Sequence, residues 1–232
     1  MTTPKLILWD IDHTLIETGG VGSEVFRDAF EQVTGHKIEK LADVTGRTEP
    51  IIFQETLEIY GIEDPGDYFL RFVRAQAEGY QSRAEEMRRR GRVLPGAREA
   101  LESLATGLDA YQTVLTGNPR PSAEAKLSIF DLATMLNGNT GAYGDDDAIR
   151  ANLVDIARQR VYKQTGVTFT KKTTVIIGDS PSDVEAASKG GAQIIAVASG
   201  NTSAEDLRSA GATTVLYDLA DTAAVREAVA GF

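Results

Sequence analysis

The sequence predicts an α/β protein: a doubly wound parallel-sheet core, residues 1–17 and 94–232, interrupted by an all-α insertion over residues 18–93. Three observations carry this expectation. Short apolar, β-rich runs alternate with helical patterns through the second half of the chain, and such alternation implies right-handed crossovers and a parallel sheet. One run of the same kind, Leu6-Ile7-Leu8-Trp9 continued by Ile11, stands alone near the start; it is apolar on both faces, as a doubly covered strand must be. Between it and the rest lie helical segments with no strand among them.

Taken in order, Glu17 to Gly22 is a glycine-rich exit from the first strand. Val25, Phe26, Ala29, Phe30 and Val33 then recur at helical spacing, and Gly35 ends that segment. A second helix is predicted from about Glu49 to Tyr60, with Pro50 in its first turn and Gly61 at its end. A third is predicted from about Gly66 to Arg90, on Tyr68, Phe69, Phe72, Val73, Ala75 and Ala77. Leu94-Pro95-Gly96 marks the return to the core. Helices are then predicted over 97–105, 122–130, 148–164, 182–189 and 204–209, and strands over 111–115, 173–177, 193–197 and 213–217, with a weak strand within 134–142.

Composition narrows the classes of function. At 232 residues, 42% hydrophobic and 25% charged, the chain is of ordinary soluble type, with no apolar stretch near the roughly 20 residues that span a bilayer. Met1-Thr2-Thr3-Pro4 runs straight into the first strand, so no signal peptide is expected. The absence of cysteine removes disulfides, thiolate metal sites and cysteine nucleophiles, and suits a cytoplasmic setting. A net charge of −10 argues against nucleic-acid or anionic-membrane partners, and obliges any phosphorylated substrate to find a local cationic pocket.

The chemistry gathers at strand ends. The first strand ends in Asp10 and Asp12, followed by Thr14; the second ends in Thr116-Gly117-Asn118; the run at 173–177 ends in Gly178-Asp179-Ser180-Pro181-Ser182-Asp183. In a parallel sheet these ends share the carboxyl edge, where ligands bind. Asp10 and Asp12 point the same way only if the chain stays extended, and two such close carboxylates call for a divalent cation. Asp12-His13-Thr14 also reads as a turn capped by its aspartate. Asp183, a helical turn after Asp179, either returns to the edge or caps the helix that begins near Pro181. Several carboxylates without His or Cys suit a hard cation, Mg²⁺ first.

Asp10-x-Asp12-x-Thr14, then Leu-Thr116-Gly117-Asn118, then Gly178-Asp179-x-x-x-Asp183, in this order and with a helical insert after the first, resembles the haloacid dehalogenase (HAD) superfamily. The likeness is to its phosphoglycolate phosphatase-like phosphatases, whose Rossmann-like core carries a helical cap. It covers nearly the whole chain. The resemblance implies that Asp10 is a nucleophile forming an aspartyl-phosphate and that Asp12 is general acid, then base. It implies too that Thr116 and the amides near Gly117 and Asn118 hold the phosphoryl oxygens, and that Asp10, Asp12, Asp179 and Asp183 hold Mg²⁺. Asp12 favours phosphate esters, since dehalogenases and ATPases of the superfamily lack an aspartate there.

The sequence departs from the pattern at the cation. The superfamily normally has a lysine near the start of the helix before the last acidic motif, whereas this stretch reads Asp145-Asp146-Asp147-Ala148-Ile149-Arg150. Arg150 is the nearest cation, and its permanent charge and bidentate fork suit a bridge from Asp10 to phosphate. Lys126, on the helix after Asn118, competes for the role. His13 stands where the superfamily most often has glycine, either touching substrate or packing in the turn. Gly46-Arg47-Thr48 resembles the cap loop that reaches the site, which makes Arg47 a candidate for a substrate carboxylate or second phosphate. The same residues also read as a helix start with Thr48 as cap. Arg88-Arg89-Arg90 with Arg92 reads as a solvated helix end. The expected activity is hydrolysis of a small phosphorylated metabolite, with a β-phosphoglucomutase-type mutase and a non-catalytic protein on the same fold as alternatives.

Overall fold

The computed structural model describes residues 4–232; Met1, Thr2 and Thr3, ahead of the first strand, lie outside the described residues. A five-stranded parallel sheet has the order β4-β1-β5-β6-β7, from β1 (Lys5–Trp9), β4 (Ala110–Val114), β5 (Thr174–Gly178), β6 (Gln193–Val197) and β7 (Thr214–Leu216). β1 is an interior strand, with Leu8 opposite Thr113 on one side and Ile176 on the other. Successive side chains leave the sheet on opposite faces. Ile7, Trp9, Val175 and Ile177 therefore enter one apolar layer, and Leu6, Leu8 and Ile176 the other.

The first layer is covered by α5 (Ala97–Gly107), α6 (Arg120–Ile129) and α10 (Thr222–Ala230). The second is covered by α7 (Asn152–Thr165), α8 (Pro181–Gly190) and α9 (Ala204–Ser209). Cover on both faces explains why the strands are apolar throughout. Trp9 is fully buried and donates its indole N–H to Gln112 Oε1 at 3.0 Å. Truncating it to alanine costs about 3–5 kcal/mol.

Between β2 (Ile16–Glu17) and β3 (Arg92–Val93) lie α1 (Val21–Thr34), α2 (Glu49–Tyr60), α3 (Tyr68–Ser82) and α4 (Ala84–Arg90). β2 and β3 pair antiparallel, so the two crossings into this cap form one short ribbon. The cap has an apolar centre of its own, where the Phe72 ring centroid lies 4.8 Å from that of Phe26 and 4.8 Å from that of Phe53.

Three expectations are corrected. The third helix is broken at Arg83, and the break sends α4 towards the core, where Met87 is fully buried. No strand forms within 134–142: two short 3₁₀ turns at Ala133–Met135 and Gly138–Thr140 use the local backbone groups, leaving a single bridge from Ala142 to Leu115. The helix predicted from 148 starts at Asn152, because Asp147 Oδ1 accepts from the Ile149 amide at 2.7 Å and holds 148–151 as a loop. That loop carries Arg150. No helix among the described residues is long and apolar enough to cross a membrane.

Candidate active site

The carboxyl ends of β1, β4, β5 and β6 border a cleft of about 360 Å³ that the cap closes from the other side. Asp10 ends β1 and is buried at its floor. The next residues turn back through Leu15 and Ile16, whose amides donate to Ile11 O. His13 sits in this turn with φ 60°, in the left-handed region, which explains why glycine suits the position; histidine is one of the side chains tolerated there. Its carbonyl accepts from Ser199 Oγ at 2.7 Å, and the residue lines the cleft.

Asp10, Asp179 and Asp183 are all buried, each offering an oxygen within 4.8 Å of the others. Burial and the neighbouring acids push Asp10 and Asp179 up from the carboxylate range towards neutral pH, the Arg150 charge opposing this in both. Arg150 Nη2 donates to Asp10 Oδ1 at 2.8 Å and to Asp183 Oδ1 at 2.6 Å, while Asp179 receives a long hydrogen bond of 3.4 Å from Thr14 Oγ1. One arginine thus faces three buried acids. An all-oxygen set with unbalanced negative charge suits a hard divalent cation, so these residues fit a metal ion.

Asp183 caps and converges at once. Its Oδ2 accepts from the Ser180 amide at 3.1 Å and from Ser180 Oγ at 2.6 Å, in a capping box at the start of α8. Its Oδ1 stays free to turn towards Asp10 and Arg150. The two readings of this residue are two oxygens of one carboxylate.

Asp12 stands outside that group of three acids. Lys126 Nζ donates to both its oxygens, at 3.0 and 2.8 Å, and Asn118 Nδ2 donates to Oδ2 at 2.8 Å. Burial alone raises the Asp12 pKa, but the Lys126 charge and these hydrogen bonds outweigh it and hold the acid below its ordinary value. Lys126 gives its third hydrogen bond to Asn118 Oδ1 at 2.6 Å and lies over the Tyr80 ring. Both candidate cations therefore reach the cleft, and they divide the aspartates between them.

Thr116 and Asn118 are buried and line the cleft, with Asn118 Nδ2 also donating to Thr116 Oγ1 at 2.7 Å. Gly117 is where the cap meets the core. A Cβ there would lie 2.3 Å from Arg47 O, and its own carbonyl accepts from the Glu49 amide at 2.9 Å. Gly46, with φ 63°, makes the neighbouring contact: a Cβ on it would sit 2.4 Å from Ser180 Oγ, and its carbonyl accepts from Arg150 Nη1 at 3.2 Å. The Gly46-Arg47-Thr48 loop thus reaches the site and also begins α2. Thr48 holds the N-cap position without capping, its hydroxyl donating instead to Ala148 O at 2.7 Å. Arg47 is clamped in a bidentate pair with Glu55. Arg90 joins Glu24 and Glu86, tying α4 to α1.

Sequence reasoning did not single out Glu49, Tyr80 or the loop after β6, yet all border the cleft. An acid in the first turn of a helix reads as a dipole partner, which hid Glu49. The β6 loop shares the edge, but Ser199, Gly200, Asn201 and Thr202 carry no distinctive chemistry.

Residues 7–188 match the haloacid dehalogenase-like hydrolase family. Among solved structures, CbbY from Rhodobacter sphaeroides in complex with phosphate is similar, with 21% identity, 96% of this chain and 99% of that chain covered, and a TM-score of 0.69. A predicted phosphoglycolate phosphatase from Haemophilus somnus is similar at 18% identity, covering 97% and 99% of the two chains with a TM-score of 0.68. A hydrolase from Pseudomonas syringae is similar at 21% identity, covering 94% and 95%, also with a TM-score of 0.68. At these identities the likeness is one of fold. No curated protein matches the sequence.

Proposed function

The chain belongs to the haloacid dehalogenase-like hydrolase family, and from that premise we propose that it is a Mg²⁺-dependent phosphomonoester hydrolase of small phosphorylated metabolites, with Asp10 as nucleophile and Asp12 as general acid and base. The observation that carries this reading is the division of labour between the two aspartates. Asp10 lies among acids that suit a metal, and Asp12 faces the same cleft outside that group. A binding protein has no need of both. The phosphate held by the similar CbbY structure supports the substrate class.

Asp10 attacks phosphorus in line, and the bond to the ester oxygen breaks. Asp12 gives that oxygen its proton. It then takes one from a water molecule, which attacks the aspartyl-phosphate, releases inorganic phosphate and restores Asp10. In this reading Thr116 and the backbone at Gly117 and Asn118 donate hydrogen bonds to the transferring oxygens, and Arg150, paired with Asp10, stabilises their charge. Asp10, Asp179 and Asp183 would hold Mg²⁺, whose charge lets an anionic phosphate approach a carboxylate. The cap excludes bulk water, protecting the intermediate until Asp12 activates one molecule.

The test is a phosphate-release screen over a metabolite panel with Mg²⁺ and with EDTA. Release that requires Mg²⁺ is expected. Turnover of sugar bisphosphate without net phosphate release would replace the hydrolase with a mutase, and no turnover of any ester would remove both.

A further inference from the structure

The cap sets one acid at the border of the cleft and leaves one of its carboxylate oxygens without a hydrogen bond. Glu49, the first residue of α2, is anchored at the Thr116–Asn118 loop by its backbone N–H, which donates a hydrogen bond to Gly117 O. Its Oε2 is enclosed and accepts no hydrogen bond. A buried acceptor with no donor keeps the cost of its lost hydration, so a donor should fill the role when the site is in use.

The neighbouring donors do not fill it. An ammonium has three N–H bonds, and Lys126 spends them on the two oxygens of Asp12 and on Asn118 Oδ1. Gln76 of α3 comes close enough to ease the charge on Glu49, but its Nε2 completes no hydrogen bond of ordinary geometry, and its Oε1 is held by Ser122 Oγ. Among the cleft-lining residues the cap supplies one cation, Arg47, and Glu55 already neutralises it. The remaining cap surface near Glu49 includes the apolar Phe26, Leu41 and Ile52.

We propose that Glu49, backed by Gln76, receives the leaving-group end of the substrate, and that this end carries an O–H or N–H donor and no second anion. The inference rests on the phosphatase reading above and names the substrate class of that same site. A carboxylate or second phosphate would meet Glu49 with no free cap cation to balance it, whereas a hydroxyl or ammonium group would satisfy the orphaned oxygen. The preferred esters are then those of small polyols, sugars or amino alcohols. On this proposal Arg47, paired with Glu55, does not receive an anionic substrate end.

The experiment compares kcat/KM for p-nitrophenyl phosphate, glycerol 3-phosphate, O-phosphoethanolamine and 2-phosphoglycolate in Mg²⁺, using the full chain and its Glu49→Gln and Glu49→Asp variants. The wild type should prefer the hydroxyl or ammonium ester to phosphoglycolate by about tenfold or more. In Glu49→Gln that ratio should fall towards one, with the larger loss on phosphoethanolamine if an ammonium is the natural donor and on glycerol phosphate if a hydroxyl is. Glu49→Asp should fall between wild type and Glu49→Gln. The wild-type ratio decides the matter even if a variant fails to fold. Hydrolysis of p-nitrophenyl phosphate combined with a preference for phosphoglycolate, or with ratios unchanged in folded Glu49→Gln, would overturn this inference alone. Failure to hydrolyse any of the four esters would count against the phosphatase reading and take this inference with it.

Discussion

Asp10 shares one arginine with Asp183 and lies beside Asp179, whereas Asp12, two residues on, has a lysine and an asparagine amide to itself. The chain therefore drives two identical side chains in opposite directions. Asp10 is pushed towards holding its proton, by burial first and by neighbouring acids after it; Asp12 is held ionised, because Lys126 outweighs burial. The difference teaches that a carboxylate's role is set by its neighbours. On the proposed mechanism, Asp10 needs added positive charge to stay an anion and attack. Asp12 must loosen its hold on Lys126 before a proton can reside on it.

The largest way to test the contrast is to abolish one side of it. Asp10→Asn should leave a folded protein whose phosphate release falls by at least about 10³-fold, since no carboxylate remains to take the phosphoryl group. Near-native turnover in that variant would exchange the roles of the two aspartates.

The cations give the next effect. Arg150→Ala should lower kcat by about 10²-fold, as expected for a charged donor lost from the transferring group. Lys126→Ala should act differently, by freeing Asp12 from the charge that depresses its pKa. If Asp12 supplies the leaving-group proton, kcat/KM declines once pH passes its pKa, so this variant should move the alkaline limb to higher pH. Full pH–rate profiles of both variants separate the two roles. A limb that moves in Arg150→Ala and stays still in Lys126→Ala would reverse the pairing.

The smallest effect tests whether environment rules over residue type at a third acid. Burial pushes Glu49 up to about 7, with Lys126 and Gln76 opposing the rise and Asp12 and Asp145 adding to it. The folded state thus binds this proton more tightly than the unfolded chain does. Its contribution to stability is fully present below the unfolded value near 4.5 and is lost as pH rises through about 7. Glu49→Gln should therefore raise Tm by a few degrees relative to wild type at pH 8 and have little effect at pH 5, measured by thermal unfolding. An equal shift at both values would point to altered packing.

Much of the core was legible in the sequence because strand ends in a parallel sheet share an edge. Asp10, Asp12, Thr116, Asn118, Asp179 and Asp183 each follow a short apolar run, and topology alone brings them to one cleft. The two cations could not be told apart by the same rule. Arg150 reaches Asp10 because Asp147 arrests the chain as a loop for a few residues, and Lys126 reaches Asp12 from the side of α6. Those outcomes depend on one side-chain hydrogen bond and one helix rotation. Glu49 was hidden for another reason: its place at the cleft comes from the docking of the cap on Gly117, a contact between parts of the chain far apart in sequence.

The interior position of β1, between β4 and β5, also bears on how the protein is made. Its nearest sheet partner, β4, begins at Ala110, and its other neighbour, β5, begins at Thr174. During synthesis the run Leu6–Trp9 leaves the ribosome with both edges open, while the intervening helices, rich in local contacts, can condense ahead of it. A chain stalled before residue 110 would display a formed helical lobe joined to a naked hydrophobic strand, the kind of species that chaperones retain and that aggregates without them.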